Sequence, residues 1–78
     1  MARFYFHLYN DIVSKDEEGR ELPNVEAARH DAQEDARDIA AESVRDGELN
    51  LSHYVEVADE SGPLFRVTFG DVVTVSGQ

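Results

Sequence analysis

The chain has 78 residues, 17 acidic and 7 basic side chains, a formal net charge of -10 and no cysteine. That is room for one domain, and a chain this short buries only about 60% of its unfolded surface, so a second copy or a partner would add to its modest core. Disulfides and thiolate metal sites are excluded, and so much negative charge opposes binding to phosphate backbones and to anionic lipid surfaces.

The chain opens on alternation. Phe4, Phe6 and Leu8 fall on one side of a strand, and Tyr5, His7 and Tyr9 on the other, which is the period of an extended strand. This start lacks the unbroken apolar stretch of a signal peptide, and no window reaches the roughly 20 apolar residues of a membrane span. The expectation is a cytoplasmic protein with no membrane partner. Asn10-Asp11 reads as a turn, Ile12-Val13 as the start of a short strand paired back on the first, and Lys15-Asp16-Glu17-Glu18-Gly19 as a second turn in which Gly19 supplies backbone freedom. Arg20-Glu21-Leu22 is one more short extended piece.

Leu22-Pro23-Asn24 introduces a helix, with Asn24 as N-cap. Val25, Ala28, Ala32, Ala36, Ile39, Ala40, Ser43 and Val44 recur at three- and four-residue spacing as one narrow stripe of mostly small residues. Gly47 is the stop. Such a helix, roughly 33 Å long, would overhang a seven-residue strand at one end. Its charged side holds like-charged pairs four apart, Asp31 with Asp35 and Asp38 with Glu42, each unfavourable by a few tenths of a kcal/mol (roughly).

Leu49 and Leu51 bring the chain back. A third main strand spans His53 to Ala58 with Val55 and Val57 inward, Asp59-Glu60-Ser61-Gly62 forms a hairpin loop, and a fourth spans Leu64 to Phe69 with Phe65, Val67 and Phe69 inward. Gly70-Asp71 breaks it, and Val72 to Val75 is a candidate C-terminal edge strand. The fold class is α+β: an antiparallel sheet of three to five strands with one long helix on one face, in the order β-β-α-β-β. The expected core is Phe4, Phe6, Leu8, Leu22, Val25, Ala28, Ala32, Ala36, Ile39, Val55, Val57, Phe65, Val67 and Phe69, enough for one helix-on-sheet layer. Nothing apolar is left to cover the sheet's second face.

Candidate chemistry is sparse. His7, His30 and His53 lack the short spacing of a zinc pair. Asp16 and Glu18 alternate as calcium ligands do, but the rest of such a loop does not follow. The serines stand in no nucleophile context, the glycines form no phosphate loop, and every acid sits at an expected exposed or turn position with nothing to split a pair of pKa values. No catalytic residue, metal ligand or cofactor is expected, and the protein is not read as an enzyme. The feature that stands out is the helix-free face of the sheet, onto which Tyr5, His7, Tyr9, Tyr54, Glu56 and Arg66 project, including all three tyrosines of the chain. Tyrosine joins contact area to a polar tip and is enriched at interfaces. The expected use is a non-catalytic protein-interaction or regulatory module, with a protein partner or a homodimer and no nucleic acid. The rival is a small-ligand-binding domain or enzyme using the same face.

The run Arg3-Phe4-Tyr5-Phe6-His7-Leu8, then Asp16-Glu17-Glu18-Gly19 with Glu21-Leu22-Pro23, then Ala27-Ala28-Arg29, then Val67, Phe69, Gly70 and Asp71 resembles, nearly end to end, an uncharacterised domain family common in rhizobia and related alphaproteobacteria. The resemblance implies a similar fold and no assigned activity. The strand-strand-helix opening also resembles the HicB-like antitoxin domain, which implies an antitoxin-type regulator. That family's second strand is longer and ends in a proline-glycine turn.

Overall fold

A computed structural model describes residues 1–74 and 76. Three strands precede the helix: β1 (Ala2–Tyr9), β2 (Val13–Ser14) and β3 (Arg20–Leu22). They are followed by α1 (Val25–Arg45), β4 (Tyr54–Asp59), β5 (Gly62–Thr68) and the short α2 (Phe69–Val72). The sheet has five strands and runs β2-β1-β4-β5, with every pair antiparallel, and β3 also pairs with β1. The α+β class and the order of the main strands agree with the expectation. β2 is only two residues long, unlike the longer second strand of the HicB-like pattern.

Both β2 and β3 occupy the same edge of β1: β3 pairs with residues Ala2 to Phe4 and β2 with Leu8 and Tyr9. The intervening stretch of that edge faces the loop of Lys15 to Gly19. Gly19 has φ 73°, and a Cβ there would lie 2.9 Å from the Phe4 carbonyl oxygen and 2.9 Å from Arg3 Cγ. Only glycine meets both the left-handed backbone and the close approach.

α1 starts where Asn24 Oδ1 accepts the Ala27 amide at 2.8 Å. It ends where Gly47, at φ 93°, donates to Val44 O and Glu48 donates to Ser43 O, a left-handed C-terminal cap. Ala28, Ala32 and Ala36 are 0% exposed. Their small side chains let the helix backbone settle onto Phe4, Phe6, Val55, Val57, Val67 and Phe69. The stripe runs one turn further than the expected core list, to buried Ala40. Val25 was expected inside but is 46% exposed, because it stands at the first helical position. Leu8, Leu22, Ile39 and Phe65 are half-buried at the margin of the core. Arginines seal two flanks: the Arg20 guanidinium lies 4.2 Å from the Phe6 ring centroid, and Arg29 lies 4.2 Å from that of Phe65. Arg20 also reaches Asp31 at 3.2 Å and Asp35 at 2.6 Å, so the expected repulsion between those two acids becomes a clasp between β3 and α1.

Two features depart from expectation at the end of the sheet. Val57 pairs with Phe65 but Ala58 pairs with Pro63, so Leu64 is an extra residue on β5 and the strand bulges there. Ala58, absent from the expected core, is buried. Beyond Thr68 the described residues form no edge strand. Thr68 Oγ1 accepts the Asp71 amide at 3.1 Å and Asp71 Oδ2 accepts the Thr68 amide at 2.9 Å, a reciprocal cap that starts a helical turn. Val72 therefore lies in α2, Val73 and Thr74 pair with no strand, and Val75 lies outside the described residues. Phe69 is fully buried at the start of α2 instead of ending a strand.

Candidate functional site

The strand register decides whether the six expected residues share a surface. β1 pairs with β4 as Tyr5 with Ala58, His7 with Glu56 and Tyr9 with Tyr54, and β4 pairs with β5 as Glu56 with Arg66 and Tyr54 with Thr68. Alternation puts all of these on the face opposite α1. Three rows cross the sheet: Tyr9-Tyr54-Thr68, His7-Glu56-Arg66 and Tyr5-Ala58-Pro63. Tyr5, His7, Tyr9, Tyr54, Glu56 and Arg66 are brought together as expected.

The rings on this face are stacked. Tyr9 and Tyr54 have centroids 4.8 Å apart at 15°, and Tyr5 and His7 lie 6.4 Å apart at 9°. Arg66 closes one end of the first stack, and Lys15 reaches the hydroxyl edge of the ring at the other. Lys15 Nζ lies 5.0 Å from the Tyr9 centroid and Arg66 Cζ lies 4.9 Å from that of Tyr54. The ladder Lys15, Tyr9, Tyr54, Arg66 thus runs from the loop after β2 across β1 and β4 to β5. Lys15 Nζ also donates to the Tyr9 hydroxyl at 2.6 Å, and that hydrogen bond raises the Lys15 pKa above its ordinary value, with Glu56 adding to the effect.

Lys15 is the member that sequence reasoning missed. It reads as a turn residue, and no local pattern reports that the turn folds back beside Tyr9. Asp16 was read as part of a solvated acidic turn, and it too has a structural task. Its Oδ1 accepts the amides of Glu18 and Gly19 at 3.1 Å each, its Oδ2 accepts the amide of Phe6 at 3.1 Å, and its own amide donates to His7 Nδ1 at 3.0 Å. Burial pushes the Asp16 carboxyl upward, but the three amides and the charge of Arg20 prevail and hold it below its ordinary 3.8. The bond to Nδ1 ties the His7 ring to the loop.

Charge on this face differs from charge on the helix. Arg3, Lys15 and Arg66 accompany Glu21 and Glu56 on the sheet side, whereas α1 carries Glu26, Asp31, Glu34, Asp35, Asp38 and Glu42 against Arg29, Arg37 and Arg45. Arg3 pairs with Glu21 at 3.3 Å. Glu56 and Arg66 stand directly opposite each other on neighbouring strands, yet neither makes an ion pair or side-chain hydrogen bond among the described residues. Arg66 turns onto Tyr54 instead.

Two hollows lie elsewhere. One of about 420 Å³ is polar and bounded by Met1, Arg3, Glu21, Asp59 and Glu60. The other, about 320 Å³, is apolar and bounded by Arg37, Ala40, Ala41, Val44 and Val73. Neither is lined by a tyrosine. Among the described residues, no three His, Asp or Glu side chains gather as a metal-binding group, and no helix is long and apolar enough to cross a membrane. Of the other histidines, His30 is exposed on α1, and His53 is half-buried, edge-on to Phe69 with Nε2 3.6 Å from Asp11.

Neither a curated protein nor a solved structure matches the chain. A family model described as a domain of unknown function, DUF6894, matches residues 3–70, a span that takes in β1 to β5, α1 and the start of α2, and the chain belongs to that family.

Proposed function

We propose that the protein is a non-catalytic interaction module whose working surface is the helix-free face of the sheet, with Tyr5, Tyr9 and Tyr54 as anchors. The observation that carries this reading is the Lys15-Tyr9-Tyr54-Arg66 ladder. It is a preorganised aromatic surface with charged ends, and aromatic residues held in place cost little entropy on association. The facing sides of Tyr9 and Tyr54 are engaged by each other and the outer side of Tyr54 by Arg66, so a flat small molecule entering the stack would first have to displace one of them. A protein surface can instead use the exposed ring edges and hydroxyls.

The free edge of β5 is a weaker rival. Phe69 donates its amide to His53 O, so by alternation Phe65, Val67 and Phe69 point their backbone groups at β4 and Arg66 and Thr68 point theirs outward. The Thr68 amide is taken by Asp71. Pro63 has no amide proton and Leu64 is bulged. Such an edge resists strand addition.

The same reading places the protein in the cytoplasm of a rhizobial or related bacterium, in line with a chain that has no cysteine. Its test is the double substitution Tyr5→Ser with Tyr54→Ser. The variant should keep the wild-type circular dichroism and lose association, measured by sedimentation for self-association and by pull-down from a native extract for a partner. Unchanged association in a folded variant refutes the reading.

A further inference from the structure

We infer that the occupant of this face is a second copy of the same chain, held in register by Glu56 of each copy against Arg66 of the partner subunit. This rests on the reading of the face as an interaction surface and adds the identity of the partner. Three observations carry it.

The first is an unspent pair. Among the described residues, Glu56 is half-buried with no donor on either oxygen, and Arg66 makes no ion pair or side-chain hydrogen bond while its guanidinium rests on Tyr54. Opposite charges one strand apart usually meet across the sheet. Here the stack on Tyr54 holds the guanidinium away from Glu56 and leaves each group available to something outside the chain.

The second is self-complementarity. In a two-fold interface a residue i that contacts j is matched by j contacting i. Neighbouring strands stand about 4.8 Å apart and packed sheets about 10 Å apart. A two-fold axis parallel to β4, lying between the two faces, therefore brings Glu56 of each copy within lateral reach of Arg66 of the partner subunit, twice over. A face carrying one free carboxylate and one free guanidinium in the same row fits its own copy in this way.

The third is the distribution of charge. A chain of net charge -10 repels itself on average, and α1, on the far side of the sheet, holds six acids against Arg29, Arg37 and Arg45, a net -3 of that total. The face itself is balanced, with Arg3, Lys15 and Arg66 beside Glu21 and Glu56. It is the side on which two copies can approach. Three strands of about seven residues make a small interface, so the dimer should be concentration-dependent instead of permanent.

The test uses two singly substituted full-length chains, Glu56→Arg and Arg66→Glu, each checked for wild-type circular dichroism and measured by sedimentation equilibrium. Each alone should dimerise at least about tenfold more weakly than wild type, because both cross-interface contacts become like-charged. An equimolar mixture should form a heterodimer of near wild-type strength, because the charges introduced at Glu56 on one chain and at Arg66 on the other are opposite and meet, while native Arg66 meets native Glu56 in the second contact. Strain inside one chain is the same in the mixture as in the separate samples, so recovery can arise only between chains. Should either variant fail to fold, Glu56→Gln and Arg66→Gln take their place; each alone is then expected to weaken the dimer, and the mixture to recover in part, because Arg66 of one chain still meets Glu56 of the other. Separate variants that dimerise like wild type, or a mixture that does not recover, overturn the Glu56–Arg66 register while leaving the tyrosine face to its own test. Wild-type protein that stays monomeric up to millimolar concentration overturns the second copy as occupant, and loss of a heterologous partner in the Tyr5→Ser, Tyr54→Ser variant would then still uphold the face.

Discussion

The Oδ2 atom of Asp16 accepts the amide of Phe6 at 3.1 Å, in the gap on the edge of β1 between its pairings with β3 and β2. Phe6 is buried and points its amide away from β4, so without Asp16 that donor would have no partner on the strand edge. The same carboxylate gathers the amides of Glu18 and Gly19, which is how a five-residue loop can leave the sheet and rejoin it.

Asp16→Ala removes three hydrogen bonds at once. An unsatisfied, part-buried donor costs about 1–3 kcal/mol, so thermal unfolding should move down by roughly 10 °C in a domain of this size. The pH dependence follows from the direction of the shift. The folded-state pKa of Asp16 is lowered from 3.8, so its stabilisation is complete above the unfolded value and is lost as pH falls through the lower folded value. Wild type and variant should therefore differ fully at pH 6 and converge in acid below the unfolded value. A gap that persists unchanged down to the most acidic measurable point would show that the carboxylate's charge is not what matters.

Gly19 and Gly47 both have positive φ, but their surroundings differ. A Cβ on Gly19 would meet the Phe4 carbonyl and Arg3, whereas nothing lies within 4 Å of one on Gly47. Gly47→Ala should cost about 1 kcal/mol, the backbone penalty alone. Gly19→Ala adds a clash with the strand backbone and should cost at least about 2–3 kcal/mol. Chemical denaturation of the two variants side by side checks the order. Equal losses would mean that the loop moves away freely.

The contrast between these glycines shows where sequence reading stops. Alternation in Phe4-Tyr5-Phe6-His7-Leu8-Tyr9 is a local signal, and it was enough to put the tyrosines on one face and the phenylalanines on the other, as the pairing with β4 bears out. The alanine stripe and the Asn24 and Gly47 caps are equally local. Asp16 acts on Phe6, ten residues away, and Lys15 acts on Tyr9 only because the loop folds back. Contacts between a side chain and a distant backbone leave no periodic trace. The bulge at Leu64 was invisible for the same reason. α2 is different: Thr68 followed three residues later by Asp71 is a helix-start pattern that the run of β-branched residues from Val72 to Val75 obscured.

Ala36 has no exposed surface at the middle of the helix-sheet interface. Ala36→Leu would force α1 away from Val57 and its neighbours. Overpacking of this kind costs about 1–3 kcal/mol, and with the small margin of a 78-residue chain the midpoint of urea unfolding should fall clearly. Ala41→Leu, one turn on and exposed beside Val44, should be within about 0.5 kcal/mol of wild type. Equal effects at the two positions would contradict close seating of the helix.

An aromatic sheet face with cations at its ends invites comparison with single-stranded nucleic-acid platforms, which stack bases on exposed rings inside a positive groove. Here the comparison fails on two counts. Tyr9 and Tyr54 cover each other at 4.8 Å, and Arg66 covers the outer side of Tyr54, so a base entering between these rings must first break a stack that is already made. The electrostatic requirement is not met either: the net charge is -10, and the three cations of the face share it with Glu21 and Glu56. Arg3 is further engaged with Glu21. Fluorescence anisotropy with mixed-sequence duplexes and with single-stranded oligonucleotides at physiological salt should show no submicromolar binding. Binding at that level, weakened by added salt and lost on Tyr54→Ser, would mean that the stack opens for bases and that the face reads nucleic acid in place of protein.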